Sequence, residues 1–275
     1  MTTALARPTT SLALRRMWTD APAFTGLALL LTLGLVPLYA AMALDTRIFD
    51  GASPWLKPVK FHFALSIYLA TLAFFARYMP ATTRQARAWR WYAGAVVFAI
   101  LAEVVWLSGT AMLNTASHFN TAVPILTTIY QLMGAFAVLL TSASLTMGIS
   151  IWRNRGTGLP SALHLSIALG LILTFIATLI VAGYLSASGG HFVGTSTRQM
   201  WIMGWSRDAG DLRVAHFLAT HALHAIPLAG LIATRLLPPI AAKSAVLAAS
   251  AAYAAFVAAT FVQALNGQPF LPWLG

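Results

Sequence analysis

The sequence predicts an all-α fold: a polytopic membrane bundle of about seven transmembrane helices, with the N-terminus inside and the C-terminus outside. Three observations carry that prediction. Of 275 residues, 59% are hydrophobic and only 8% are charged, which is too apolar for a soluble domain of this size. The apolar residues gather into seven runs, each long enough to cross a hydrocarbon core. The segments between the runs differ in charge in a regular alternation.

The spans read 22–44, 61–79, 91–113, 122–151, 160–186, 213–234 and 244–265. They fill residues 1–275 as a single integral membrane domain, opened by a basic segment over 1–20. Asp20 and Arg47 bracket the first span. That span is too long for a signal-peptide core, although Ala41-Met42-Ala43 resembles a cleavage site, and it is read as retained. Before the second span stands Ser53-Pro54-Trp55-Leu56-Lys57-Pro58. Its two prolines are expected to forbid a regular helix before Lys60. The seventh span is rich in Ala and Ser, small residues that let helices approach closely in lipid. The longest connection, 187–212, carries glycines, tryptophans and a histidine and is expected to form an ordered cap on the outer side.

The net charge is +11. Its distribution explains it without nucleic acid. Arg7, Arg15 and Arg16 precede the first span; Arg77, Arg84, Arg87 and Arg90 follow the second; Arg153 and Arg155 follow the fourth; Arg235 and Lys243 follow the sixth. All four segments fall on one side. On the other, Arg47, Lys57, Lys60, Arg198, Arg207 and Arg213 are offset by Asp45, Asp50, Asp208 and Asp211. The positive-inside rule puts the richer side in the cytoplasm. Aromatic belts agree: Trp18, Trp89, Trp91, Tyr92 and Trp152 near the inner face, and Trp55, Trp201, Trp205 and Trp273 near the outer. The expected location is a bacterial cytoplasmic (inner) membrane. Cysteine is absent, which removes disulfides, thiolate metal sites, Fe–S clusters and a Cys nucleophile.

Polar residues inside the spans converge on the outer half. At about 1.5 Å per helical residue, His216, His221 and His224 lie roughly 5, 12 and 17 Å below the outer boundary. The same arithmetic puts Glu103 about 12 Å deep, level with His221, and His62 about 5 Å deep. His118 and His191 flank the outer ends of their helices, and only His164 lies near the inner face. Glu103 is the one acidic residue inside a span, and an ionisable group at that depth is a functional candidate. The bland alternatives are interhelical hydrogen bonds for the histidines, a carbonyl freed by Pro227 as the partner of His224, headgroup contact for Lys57 and Lys60, and an Asp211 cap or an Asp211–Arg213 pair at the start of the sixth span. Tyr130 and Gln131 read as packing polars.

The stretches Lys57-Pro-Val-Lys-Phe, Glu103 followed by Ser117-His-Phe-Asn, Gly190-His-Phe-Val-Gly and Gly210-Asp-Leu-Arg-Val-Ala-His-Phe-Leu-Ala-Thr-His-Ala-Leu resemble a group of bacterial multi-pass membrane proteins. No activity is assigned to that group, so the resemblance implies a fold and not a reaction. Microbial rhodopsins are a poor match, because the last span has no lysine within it. The ceramidase and adiponectin-receptor group is also poor, because that span has no histidine.

Three functions fit these residues. The first is a metal-dependent enzyme acting on a lipid-like or membrane-associated substrate. Zinc or iron would be held by His118, His191, His216, His221 and Glu103, with Glu103 and His221 as catalytic groups and Lys57, Lys60 and Arg213 binding an anionic headgroup or cofactor. The second is a b-type haem protein exchanging electrons with quinone. The third is a proton- or ion-coupled transporter or sensor.

Overall fold

The computed structural model describes residues 10–120, 123–200 and 203–274. Arg7 and Trp201 lie outside the described residues. The fold is all-α. Among the described residues, seven helices are long and apolar enough to cross a membrane, which marks the chain as an integral membrane protein. It divides into two compact units, one up to Leu140 and one from Thr141.

The first unit begins with a helix that hydropathy did not show. α1 (Thr10–Asp20) leads into α2 (Pro22–Leu44). They are separated at Ala21, whose φ of −149° and ψ of 64° leave the helical region. Pro22 imposes that break, since a residue before proline is pushed out of the α conformation. Thr25 stitches the junction, its hydroxyl donating to the carbonyls of Met17 and Ala21. Asp20 pairs with Arg84 of α4 (Ala81–Gln85).

α3 (Leu56–Phe75) starts four residues earlier than the prolines were expected to permit. Pro58 falls in the first turn, where a missing N–H costs nothing and a fixed φ helps. α5 (Arg87–Met112) completes the unit with the first part of α6 (Pro124–Arg153). Phe24, Leu31, Leu69, Leu72, Val96, Ile100 and Leu107 are buried in its core. Tyr68 donates to the Leu140 carbonyl, 3.0 Å away.

The second unit holds the rest of α6, α7 (Ser161–Ala187), α8 (Leu212–Leu236) and α9 (Pro239–Leu265). Small residues bring these helices together, as expected where lipid gives helices no hydrophobic reason to associate. A Cβ on Gly170 of α7 would sit 2.8 Å from Pro227 Cδ and 2.9 Å from the Ala222 carbonyl of α8. Gly230 of α8 lies flush on Ser166 of α7 in return. At one end of the unit Ala162, Ala233, Ala242 and Val246 pack together, and at the other Val181, Ala215, Ala219 and Val257. α9 buries only Ala242, Val246, Val257, Thr260 and Ala264, so packing accounts for part of its small-residue composition.

The described residues of the connection between α7 and α8 carry a short strand pairing. β1 (Phe192–Val193) pairs antiparallel with β2 (Gly210–Asp211), and Gln199 bridges to Ser206 further out. Asp208 organises the turn. Its carboxylate accepts from the Thr197 hydroxyl, the Thr197 and Arg198 amides and the Ser206 hydroxyl. These donors, the Thr197 hydroxyl foremost, pull the Asp208 carboxyl down to about 2 from 3.8. A depressed folded-state value stabilises the hairpin above the unfolded value and is lost as pH falls towards the folded one. Amide hydrogen exchange, corrected for intrinsic rates, should show Thr197 and Arg198 protected at pH 6 and unprotected near pH 2. Asp208→Asn should lose most of that protection at both.

Candidate functional site

In the first unit, chain connectivity brings α3 and the segment after α5 side by side. Lys57 stands in the first turn of α3, and its Nζ donates to His118 Nδ1 at 3.0 Å. The Ser117 hydroxyl lies 3.0 Å from the same nitrogen. An ammonium can only donate, so Nδ1 is the accepting nitrogen and the imidazole proton resides on Nε2. The segment is held by Trp106 of α5, whose indole donates to the Ser117 carbonyl at 2.9 Å. Aromatic rings enclose the imidazole: Tyr130 at 5.2 Å, Phe61 at 6.2 Å and Phe119 at 6.3 Å between centroids. Tyr130, read as a packing polar, forms part of this wall.

Glu103 projects from the middle of α5 and is 4% exposed. Its Oε2 is buried with no hydrogen-bond partner among the described residues. The Lys57 charge attracts it. An unsatisfied buried polar atom costs on the order of 1–3 kcal/mol, so the position stores a demand for a donor. His62 of α3 is satisfied locally, its Nδ1 donating to the Pro58 carbonyl at 3.0 Å. Gly34 of α2 makes room for that ring; a Cβ there would lie 3.2 Å from His62 Cδ2. Lys60 is exposed, one turn beyond Lys57.

At the mouth of the same unit, Asp45 accepts from Arg47 and, at 2.7 Å, from the Trp55 indole. Arg47 also donates to the Met112 carbonyl at 2.9 Å. These bonds, led by Arg47, hold the Asp45 carboxyl well below the usual range. The connection before α3 is thereby tied to the end of α5.

The second unit holds the α8 histidines. His221 Nδ1 donates to the Phe217 carbonyl at 2.7 Å, and its ring stacks on Phe217 at 3.9 Å. That leaves Nε2 as an acceptor. His224 follows one turn on, 5.6 Å from His221 between centroids. His216 is half-buried, with an Nδ1 that has no hydrogen-bond partner among the described residues. His191 sits before β1, and its carbonyl accepts from the Leu212 amide at 3.0 Å. His164 donates from Nε2 to the Ile151 carbonyl at 2.6 Å.

Arg213 is engaged on three sides. Its guanidinium forks onto Asp211, donates to the Gly204 carbonyl and lies 4.8 Å above the Phe192 ring. Asp211 is both partner and cap, as it accepts from the Arg213 amide at 3.0 Å. Both of the bland readings of Asp211 therefore describe the molecule.

Comparison with known proteins adds nothing to this geometry. No family model, no curated protein and no solved structure matches the chain.

The expected metal ligands are distributed over the two units. Glu103 and His118 belong to the first unit, and His191, His216 and His221 to the second. Among the described residues no three His, Asp or Glu side chains are grouped to hold a metal ion. The sequence reading missed the Lys57–His118 contact. Its signal was present in the two quoted stretches that carry those residues, but nothing in either stretch names the other as its partner.

Proposed function

We propose that this chain is a proton- or ion-coupled transporter or sensor of a bacterial inner membrane, with its N-terminus in the cytoplasm. Glu103 is the group that takes up and releases the proton or cation, and the Lys57–His118 pair is the relay beside it. The observation that supports this reading is the buried, unpartnered Glu103 Oε2 in a membrane-spanning helix, within the field of a lysine that itself shares a hydrogen with a histidine. Ionisable residues are retained at such depth where they bind ions or pass protons. The lysine and histidine can exchange one hydrogen along a 3.0 Å bond, so a charge arriving at Glu103 has a responsive neighbour.

The metal-dependent enzyme has less support, because its donor set needs about three imidazoles or carboxylates around one point and no such group lies among the described residues; the b-type haem protein is carried by no specific observation. Bound zinc or iron, measured by elemental mass spectrometry on the purified protein, would restore them. The proposal itself is tested in liposomes containing a pH-sensitive dye and an imposed membrane potential. Wild-type protein should acidify the lumen faster than empty vesicles, and Glu103→Gln should reduce the rate at least tenfold. Equal rates for wild type and empty vesicles across a panel of driving ions would overturn transport.

A further inference from the structure

The end of α5 that charge assigns to the cytoplasm carries an unused basic surface. Arg87, Arg90 and Trp91 are spaced three and four residues apart, which puts them on one face of the helix. Together they line a shallow, open depression of about 440 Å³ on the helix surface. The neighbouring aromatics face elsewhere: Trp89 packs edge-on against Phe24 of α2 at 6.1 Å and lies 5.6 Å from Tyr92. Trp91 is left 81% exposed.

The charge here is not neutralised. Arg84 is spent on Asp20. Neither Arg87 nor Arg90 has an acidic partner among the described residues. The first turn of α5 contains no acidic residue, and no side chain caps it. Its free N–H groups and the positive end of its dipole add to the same field.

We propose that Arg87, Arg90 and Trp91 form a binding site for the phosphate of an anionic phospholipid headgroup. Three features select a lipid over a soluble anion. α5 has the length and hydropathy of a membrane span, so its first turn lies at the level of the headgroups. A bare tryptophan is what an interfacial position favours. Guanidinium groups bind phosphate through paired donors, and the glycerol and acyl chains of the same molecule would continue along the apolar surface of α5, where Phe98 is 61% exposed. The site is independent of Glu103 and does not rest on the proposed transport.

The test uses full-length protein in a neutral detergent and follows thermal unfolding. Phosphatidylglycerol should raise the Tm of wild type by several degrees more than phosphatidylcholine, and inorganic phosphate should give no comparable rise. Arg87→Gln/Arg90→Gln should lose at least half of the phosphatidylglycerol increment while keeping its Tm in phosphatidylcholine. Arg153→Gln/Arg155→Gln, which removes the same charge elsewhere, should keep it. The proposal is overturned by equal increments from the two lipids, by an equal increment from phosphate alone, or by equal losses in the two double variants. If the Arg87/Arg90 variant does not fold, native mass spectrometry of wild type decides. Preferential retention of phosphatidylglycerol supports the site, and equal retention of both lipids rejects it.

Discussion

Gly210→Ala should destabilise the second unit by about 3 kcal/mol, near the upper end of what a single overpacking substitution costs. A Cβ at Gly210 would fall inside the Ala264 carbonyl oxygen and 3.0 Å from the Gly267 Cα. Both obstacles are backbone, so no side chain can rotate out of the way. The Ala264 carbonyl also has its own work. The Gly267 amide donates to it at 3.0 Å, and the Gln268 amide donates to Gln263 at 3.1 Å. Those two bonds are the Schellman closure of α9, and they require the left-handed φ of 72° that Gly267 supplies. Pushing Ala264 aside therefore opens the end of α9 as well as the β1–β2 pairing. The expected loss of Tm in detergent is roughly 6–12 °C. Gly183→Ala is the control, because a Cβ there meets nothing within 4 Å, and replacing a helix-interior glycine should be neutral or mildly stabilising. Similar Tm losses in the two variants would show that the close approach of β2 to α9 does not limit stability.

Much of this architecture is written in local composition. The seven spans follow from hydropathy, because each is a continuous run whose solvent preference decides its state. Boundaries failed where chemistry within one turn matters. Pro58 reads as a helix breaker until its position is known, and at the third residue of α3 it is harmless. α1 was hidden because Arg15, Arg16 and Asp20 make its sequence look like a charged tail, whereas the contact of Trp18 with Gly26 and the Asp20–Arg84 pair settle it against its neighbours. The candidate site was legible as an inventory and not as a set of contacts. Glu103 stands out in any reading, since a lone carboxylate in an apolar run is costly. The pairing of Lys57 with His118 spans 61 residues, and no periodicity encodes a contact of that range. A spacing of three residues on one helix brings the His221 and His224 rings within 5.6 Å, but a metal site also needs donors from other helices. The convergence inferred from depth alone had no azimuthal information beyond α8.

Asp211→Ala should cost still more, about 3–5 kcal/mol, because it strips one partner from a buried ion pair. The Asp211 side chain is fully buried. One oxygen accepts from the Arg213 amide at 3.0 Å and from Arg213 Nε at 2.9 Å; the other accepts from Arg213 Nη2 at 2.7 Å and from the Ser206 amide at 2.9 Å. Alanine would remove the cap of α8, worth about 1 kcal/mol by itself. It would also leave the buried Ser206 amide without its acceptor and Arg213 without its counter-charge. Asp211→Asn separates these contributions. The amide oxygen can still cap α8, but the charge is gone and one of the two acceptor atoms becomes a donor facing Arg213 or Ser206. Its loss should exceed that of the cap alone and remain below that of alanine. The double variant Asp211→Ala/Arg213→Ala gives the coupling. If the pair acts as a unit, removing both should cost less than the sum of the single variants by at least 1 kcal/mol. The consequence reaches the histidines. His216 lies less than two turns from the cap, so exchange at the first turns of α8 should rise in Asp211→Ala, and His221, fixed to Phe217, should respond less. A uniform rise along α8 would instead mean that Asp211 holds the helix to the unit as a whole and not its first turns alone.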